Sequence, residues 1–216
     1  VLGSGSQGNG TLIASGDTFI LVDCGFSLRE TERRLALLGV SAAQLSAVLV
    51  THEHADHVHG VGLLSRRYNV PVYLSQGTLR GMRKPVEVAG FLACGQSLRI
   101  GSLEVTAARV EHDAYEPLQY VVSDGQRRFG MLTDLGSYDA LLLERYQGLD
   151  ALLIEANHCR DLLARGHYPA FLKQRVGGMQ GHLNNHQAAR LVHELGWSNL
   201  QHLVLAHLSS KNNLPH

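Results

Sequence analysis

The sequence predicts a mixed α/β domain, α+β-like in its first half, in which two sheets pack together with helices outside. Short β-branched apolar runs recur along the chain as strands, several joined into hairpins by glycine-containing turns. Strand-strand-helix order appears at both ends with hairpins between, which a two-sheet architecture accommodates. At 216 residues and 44% hydrophobic content, residues 1–216 form one domain with a sizeable core.

Taken in order, residues 1–10 read as a strand followed by the loop Gly3-Ser4-Gly5-Ser6-Gln7-Gly8-Asn9-Gly10. Its small residues let a substrate approach the backbone, with Ser6 and Asn9 as candidate contacts; a flexible turn is the plainer alternative. It is no phosphate loop, because G-K-[ST] is absent. Residues 11–14 and 19–22 form a hairpin about Ser15-Gly16-Asp17. Asp23 ends the second strand, where a carboxylate either orients a metal-bound imidazole or stabilises a turn. Residues 28–38 form an amphipathic helix, with Leu28, Leu35 and Leu38 inward, Arg29, Arg33 and Arg34 outward, and Gly39 as its stop.

Residues 47–50 are a buried strand and residues 58–68 a helix. Between them runs Thr51-His52-Glu53-His54-Ala55-Asp56-His57, the pattern H-x-H-x-D-H on a loop leaving a strand. Residues two apart in a turning segment point the same way, so His52 and His54 can share one ion. Asp56 and His57, past the turn, can face a second. Imidazole suits zinc and other borderline metals, and carboxylate suits harder ones.

Further along, residues 70–74 read as a strand and 76–82 as a helical turn, beside a basic cluster of Arg80, Arg83 and Lys84. That cluster reads as ordinary surface charge, with a polyanion contact as the alternative. Residues 97–100 and 103–108 form a hairpin whose second strand runs on to His112. Residues 119–122 and 127–132 form another, ending at Asp134, which is placed to bridge two ions. The strand 151–154 ends at Glu155. A helical stretch broken at Tyr168-Pro169 precedes Gly181-His182-Leu183-Asn184-Asn185, where Asn184 or Asn185 caps the helix 187–195. The last strand, 203–206, ends at His207.

Lys+Arg and Asp+Glu balance at 19 each, so nucleic-acid binding needs a local patch. Three cysteines without C-x-x-C spacing indicate a reducing compartment, and hence the cytoplasm. No run reaches membrane-span length, and no signal peptide is visible. Thirteen histidines are a surplus that packing does not require.

The motif T-H-E-H-A-D-H resembles the signature of the metallo-β-lactamase superfamily. The resemblance implies a four-layer αββα sandwich and a dinuclear site. His52, His54 and His112 would hold one ion. Asp56, His57 and His207 would hold the other, with Asp134 between them. Two divalent ions are implied, with zinc first and manganese or iron as alternatives. His54 stands where the di-iron flavoproteins carry Glu, and Asp134 where the familiar zinc β-lactamases carry Cys, so oxygen chemistry and antibiotic hydrolysis are disfavoured.

Glu155 and His182 fall where tRNase Z has a Glu/His dyad, giving Asp56, Glu155 and His182 as the catalytic candidates. His158, Tyr168-Pro169, Lys173, Arg175, Gly181-His182-Leu183-Asn184-Asn185 and His207-Leu208-Ser209 with Asn212-Asn213 resemble the YycJ/WalJ branch of bacterial DNA exonucleases. That branch carries an Asp where this chain has Cys159. The branch implies cleavage by a metal-bound hydroxide, with DNA favoured over RNA. Lys173, Arg175, Asn184, Ser209 and Asn212 join Ser6 and Asn9 as substrate-binding candidates. The long tRNA-gripping arm of tRNase Z and the inserted domain of the RNase J group have no counterpart here. The competing expectations are a small-molecule hydrolase for a thioester, lactone or cyclic phosphate, and a non-catalytic metal-bound regulator.

Overall fold

The computed structural model describes residues 1–84, 86–196 and 198–214. The chain forms two compact units, Val1–Ala107 with Ala114–Leu118, and Ala108–Asp113 with Gln119–His216.

In the first unit, β1 (Thr11–Ser15) and β2 (Thr18–Val22) make the expected hairpin, pairing Thr11 with Val22. Strands β3 (Ala47–Leu49), β4 (Val72–Leu74) and β5 (Gly90–Phe91) add in parallel, in the order β1-β2-β3-β4-β5. Leu21, Val48, Val50, Val72 and Leu74 pack with Leu35, Val61 and Leu64 in one core. Full burial stabilises each such side chain by about 1.5–3 kcal/mol. An antiparallel hairpin of β6 (Ser97–Ile100) and β7 (Leu103–Arg109) follows, and β7 carries the chain onward to the second unit.

Three local expectations are corrected here. Residues 1–10 contain no strand, only an antiparallel bridge between Gly3 and Gly10. Helix α1 spans Leu28–Leu37, so Leu38 falls at its C-cap and is exposed. Thr31 takes the buried slot, with its Oγ1 3.3 Å from Cys24 Sγ, and Val40 closes the core beyond the turn. The helix expected at 58–68 is two helices, α2 (Ala55–Val58) and α3 (Val61–Tyr68). The break is at Gly60, which sits so close to the preceding chain that a Cβ there would lie 2.3 Å from Phe26 O. Its amide donates instead to Cys24 O at 2.7 Å. After β4, α4 (Gln76–Gly81) is capped by Ser75, which accepts from Thr78 N.

In the second unit, β8 (Leu118–Ser123), β9 (Arg128–Leu132), β10 (Ala151–Glu155) and β11 (His202–Ala206) lie side by side in chain order. The first pair is antiparallel and the other two are parallel, with Glu155 opposite Ala206. Helices α5 (Ala140–Arg145), α6 (Arg160–Arg165), α7 (Ala170–Val176) and α8 (Asn185–Leu195) complete it. Leu132, Leu152, Ile154, Leu183 and Leu191 share its core with Tyr146, whose hydroxyl donates to Met131 O at 2.8 Å. Asn184 is the α8 N-cap and forms a capping box with Gln187. No helix among the described residues is long and apolar enough to cross a membrane.

Candidate metal centre

In the first unit the donors gather where β2 and β3 end. Asp23 follows β2 directly, with φ +60°, and its carboxylate turns towards the neighbouring strand end. Oδ1 accepts from Thr51 N and Oδ2 from Thr51 Oγ1, both at 2.8 Å. Oδ2 also lies 2.8 Å from His57 Nδ1. A buried carboxylate there keeps the His57 proton on Nδ1 and leaves Nε2 as the ligating nitrogen. The Thr51 hydroxyl spends its proton on Asp23, so at 3.0 Å it accepts from His52 Nδ1. His52 is thereby also left with a lone pair on Nε2. One carboxylate, partly through a threonine, thus sets the tautomer of two imidazoles.

Those lone pairs converge. His52 Nε2 lies 3.0 Å from His54 Nδ1, and the His52 and His57 ring centroids are 4.0 Å apart. Asp56 Oδ2 is 3.6 Å from His57 Nε2. Asn9, expected at a substrate surface, is buried beneath these groups. Its Nδ2 donates to Asp56 Oδ2 at 3.1 Å and lies 2.9 Å from His57 Nε2, while its Oδ1 accepts from Gly5 N. Ser6 is exposed on the same loop.

In the second unit Glu155 is the hub. It is fully buried at the end of β10 and accepts three backbone amides: Leu183 N at 2.8 Å, Leu135 N at 3.1 Å and Asp134 N at 3.2 Å. Its Oε2 also lies 3.1 Å from His182 Nδ1 and 3.4 Å from His207 Nδ1. Burial pushes this carboxyl up, but the hydrogen bonds from His182 and His207 outweigh it and hold it below its usual range. Burial likewise opposes charge on His182. The bond to Glu155, its charge, and Asp134 and Asp113 behind it more than offset that and raise the ring to about 9.

Asp134, which Thr133 separates from the end of β9, and His207, directly beyond β11, take left-handed backbone, with φ +56° and +52°. Asp134 Oδ1 lies 3.4 Å from His207 Nε2 and 3.8 Å from His182 Nδ1. Asp134, Glu155, His182 and His207 each offer a donor atom within 4.8 Å of the others. Glu155 has its acceptors taken by amides and imidazoles, so it organises this group instead of ligating. His112 Nδ1 donates to Gly181 O at 3.1 Å, which leaves Nε2 as its ligating nitrogen.

Buried imidazole nitrogens and carboxylate oxygens converging in this way, without thiolate, fit divalent ions. The other candidates are engaged locally. Lys173 Nζ donates to Ala164 O at 2.7 Å, and Arg175 pairs with Asp113. Asn184 caps α8, Ser209 Oγ accepts from Asn212 N at 3.1 Å, and Asn212 is buried. Sequence reasoning passed over Thr51, Asp113 and Asn157, whose Nδ2 donates to His207 O at 2.9 Å. Nothing about their residue types marks them; the signal is the strand end that each follows.

A family profile described as "Beta-lactamase superfamily domain" matches residues 18–208. The chain belongs to the metallo-β-lactamase superfamily. Within it, the chain is 33% identical over 219 residues to exodeoxyribonuclease YycJ of Bacillus anthracis, covering 99% of this chain and 83% of that protein. It is 32% identical over 222 residues to exodeoxyribonuclease WalJ of Streptococcus pneumoniae, covering 99% and 82%. These matches place it in the YycJ/WalJ branch. A crystal structure of the metallo-β-lactamase fold protein YhfI from Bacillus subtilis superposes with a TM-score of 0.73 at 23% identity, covering 97% of this chain and 85% of that one. The expected fold class is therefore the observed one: mixed α/β, with two sheets and flanking helices in the metallo-β-lactamase fold.

Proposed function

We propose that the chain is a divalent-metal phosphodiesterase that removes nucleotides from the end of a DNA strand. The observation that carries this is the bond between Glu155 and His182, together with 33% identity over 99% of the chain to an exodeoxyribonuclease. Hydrolysis of an ester or lactone does not require such a dyad. In this reading His52, His54, Asp56, His57, His112, Asp134 and His207 would hold two divalent ions; zinc is favoured, with manganese or iron as alternatives. Ions bound there acidify a water molecule and neutralise phosphate charge.

The remaining steps belong to side chains. Asp23 and Thr51 hold the His57 and His52 tautomers. Glu155 keeps the His182 proton on Nδ1 and the ring cationic, so Nε2–H is the proton delivered to the departing sugar oxygen. Ser6, Lys173 and Ser209 remain the proposed strand-side contacts, whereas Asn9 and Arg175 are held by Asp56 and Asp113, Asn184 caps α8 and Asn212 is buried; a cytoplasmic location belongs to the same proposal.

The test is an assay on end-labelled DNA and RNA, single- and double-stranded, with zinc or manganese, beside His182→Ala and Asp56→Ala. We expect a product ladder from one end of DNA, lost in both variants. Metal-loaded protein that cleaves no strand but hydrolyses a thioester, lactone or cyclic phosphate would move the assignment to a small-molecule hydrolase.

A further inference from the structure

The segment Ala114–Leu118 belongs to the first unit and carries Tyr115, which is 74% exposed. The backbone beneath that ring is fixed. Tyr115 N donates to Glu53 Oε1 at 2.9 Å, and Glu53 stands between His52 and His54 in the metal-binding loop. Leu118 N donates to Thr51 O at 2.9 Å. Between them, Glu116 accepts from Gly77 N at 2.7 Å through its carboxylate, and from Ser75 Oγ at 2.8 Å through its carbonyl.

The end of α4 closes on the same place. A Cβ on Gly81 would lie 2.5 Å from Glu53 Cγ and 2.8 Å from Tyr115 Cδ2, so only glycine lets the helix end meet both. Arg80, Arg83 and Lys84 flank that glycine. All three are exposed and make no ion pair among the described residues. An aromatic ring, a run of unspent cations and the metal loop are therefore joined in one unit.

We infer that Tyr115, with Arg80, Arg83 and Lys84, forms a platform for single-stranded nucleic acid, on which a base stacks while the cations hold the flanking phosphates. This rests on the nuclease reading above and names how that substrate is gripped. Every base has a π-face, so stacking on tyrosine is sequence-tolerant, as progressive removal of nucleotides requires. Charge-only phosphate contacts are equally indifferent to sequence. Because the ring's backbone is already held at both ends, little freedom is lost on binding.

The test is fluorescence anisotropy of a fluorescein-labelled, phosphorothioate-linked oligothymidylate, which resists cleavage, titrated with metal-loaded protein. Tyr115→Ala should weaken binding about tenfold and Tyr115→Phe by less than about twofold, the span expected for one stacked base. Removing all three cations together should lower the slope of log affinity against log salt by about 2, at roughly 0.7 per single-strand contact. Wild type that binds the strand, with Tyr115→Ala and the triple variant binding equally well at unchanged melting temperatures, overturns the platform alone. Wild type that binds no oligonucleotide overturns the nuclease reading itself.

Discussion

Glu155 Oε2 lies 3.1 Å from His182 Nδ1, and the same carboxylate accepts the backbone amides of Asp134, Leu135 and Leu183. One buried acid therefore does two things: it charges an imidazole and ties the end of β10 to the segment after β9 and the segment before α8. Substitutions at its two ends separate the roles. His182→Ala should lower kcat by about 10²–10⁴-fold, the range for losing a positioned acid, with little change in melting temperature or metal content. Glu155→Ala should lower kcat as far and also destabilise by about 3–5 kcal/mol, because it strands buried partners. Rates on an end-labelled strand and thermal melts give both quantities; full activity in Glu155→Ala would sink the dyad.

Asp23 tests the tautomer argument. Asp23→Asn keeps the left-handed backbone, which asparagine tolerates. An amide nitrogen facing His57 Nδ1 then favours the wrong tautomer. Zinc affinity measured by calorimetry should fall about 10–100-fold, as it does when a partner of a ligating histidine is lost. Unchanged affinity would leave Asp23 as a turn-former only.

Acid sensitivity has a local contribution on α1. The Glu30 carboxyl is held down at about 2 by hydrogen bonds from Arg33 and Arg34, against an ordinary value of 4.5. A depressed carboxyl stabilises the fold above its unfolded value and loses that contribution as pH falls through its folded one. The melting difference between wild type and Glu30→Gln should therefore be constant above about pH 5 and close between 4.5 and 2. Because the pair is exposed, the difference should be small and should shrink in salt. A gap that persists at pH 2 contradicts this origin.

Cysteine chemistry reports on the first unit's core. Burial, offset in part by Thr31, pushes the Cys24 thiol up to about 11, whereas Cys94 is exposed. Iodoacetamide at pH 8 should label Cys94 first and leave Cys24 unmodified until the protein unfolds. Mass spectrometry of peptides from a time course decides this, and early labelling of Cys24 would mean that the segment around Gly60 opens in the native state.

What the sequence made legible was chemistry carried by residue type and strand position. H-x-H-x-D-H after an apolar run, and Asp134, Glu155 and His207 at strand ends, were readable because strands announce themselves by composition. Features set by distant neighbours were not readable. Arg175 was offered as a phosphate contact, yet it pairs with Asp113, 62 residues away in the chain. Asn9 was read as surface and lies under Asp56. Helix α5 went unread because its run of three leucines has no helical alternation, although Asp139 caps it. The kink at Gly60 follows from the approach of Phe26 and Cys24, which local propensity does not encode.

The left-handed backbone at Asp23, Asp134 and His207 narrows what evolution can do there. Holding a side chain in that region costs roughly 1–2 kcal/mol for most residues, less for aspartate or asparagine, and little for glycine. On the proposed function, the metal-site roles of these carboxylates and this imidazole offset that cost. A duplicated copy that abandoned the chemistry would keep only the strain, and glycine would relieve it. Among relatives of this chain, glycines appearing together at these three positions would be the scar of a retired catalyst, visible in sequence before any assay.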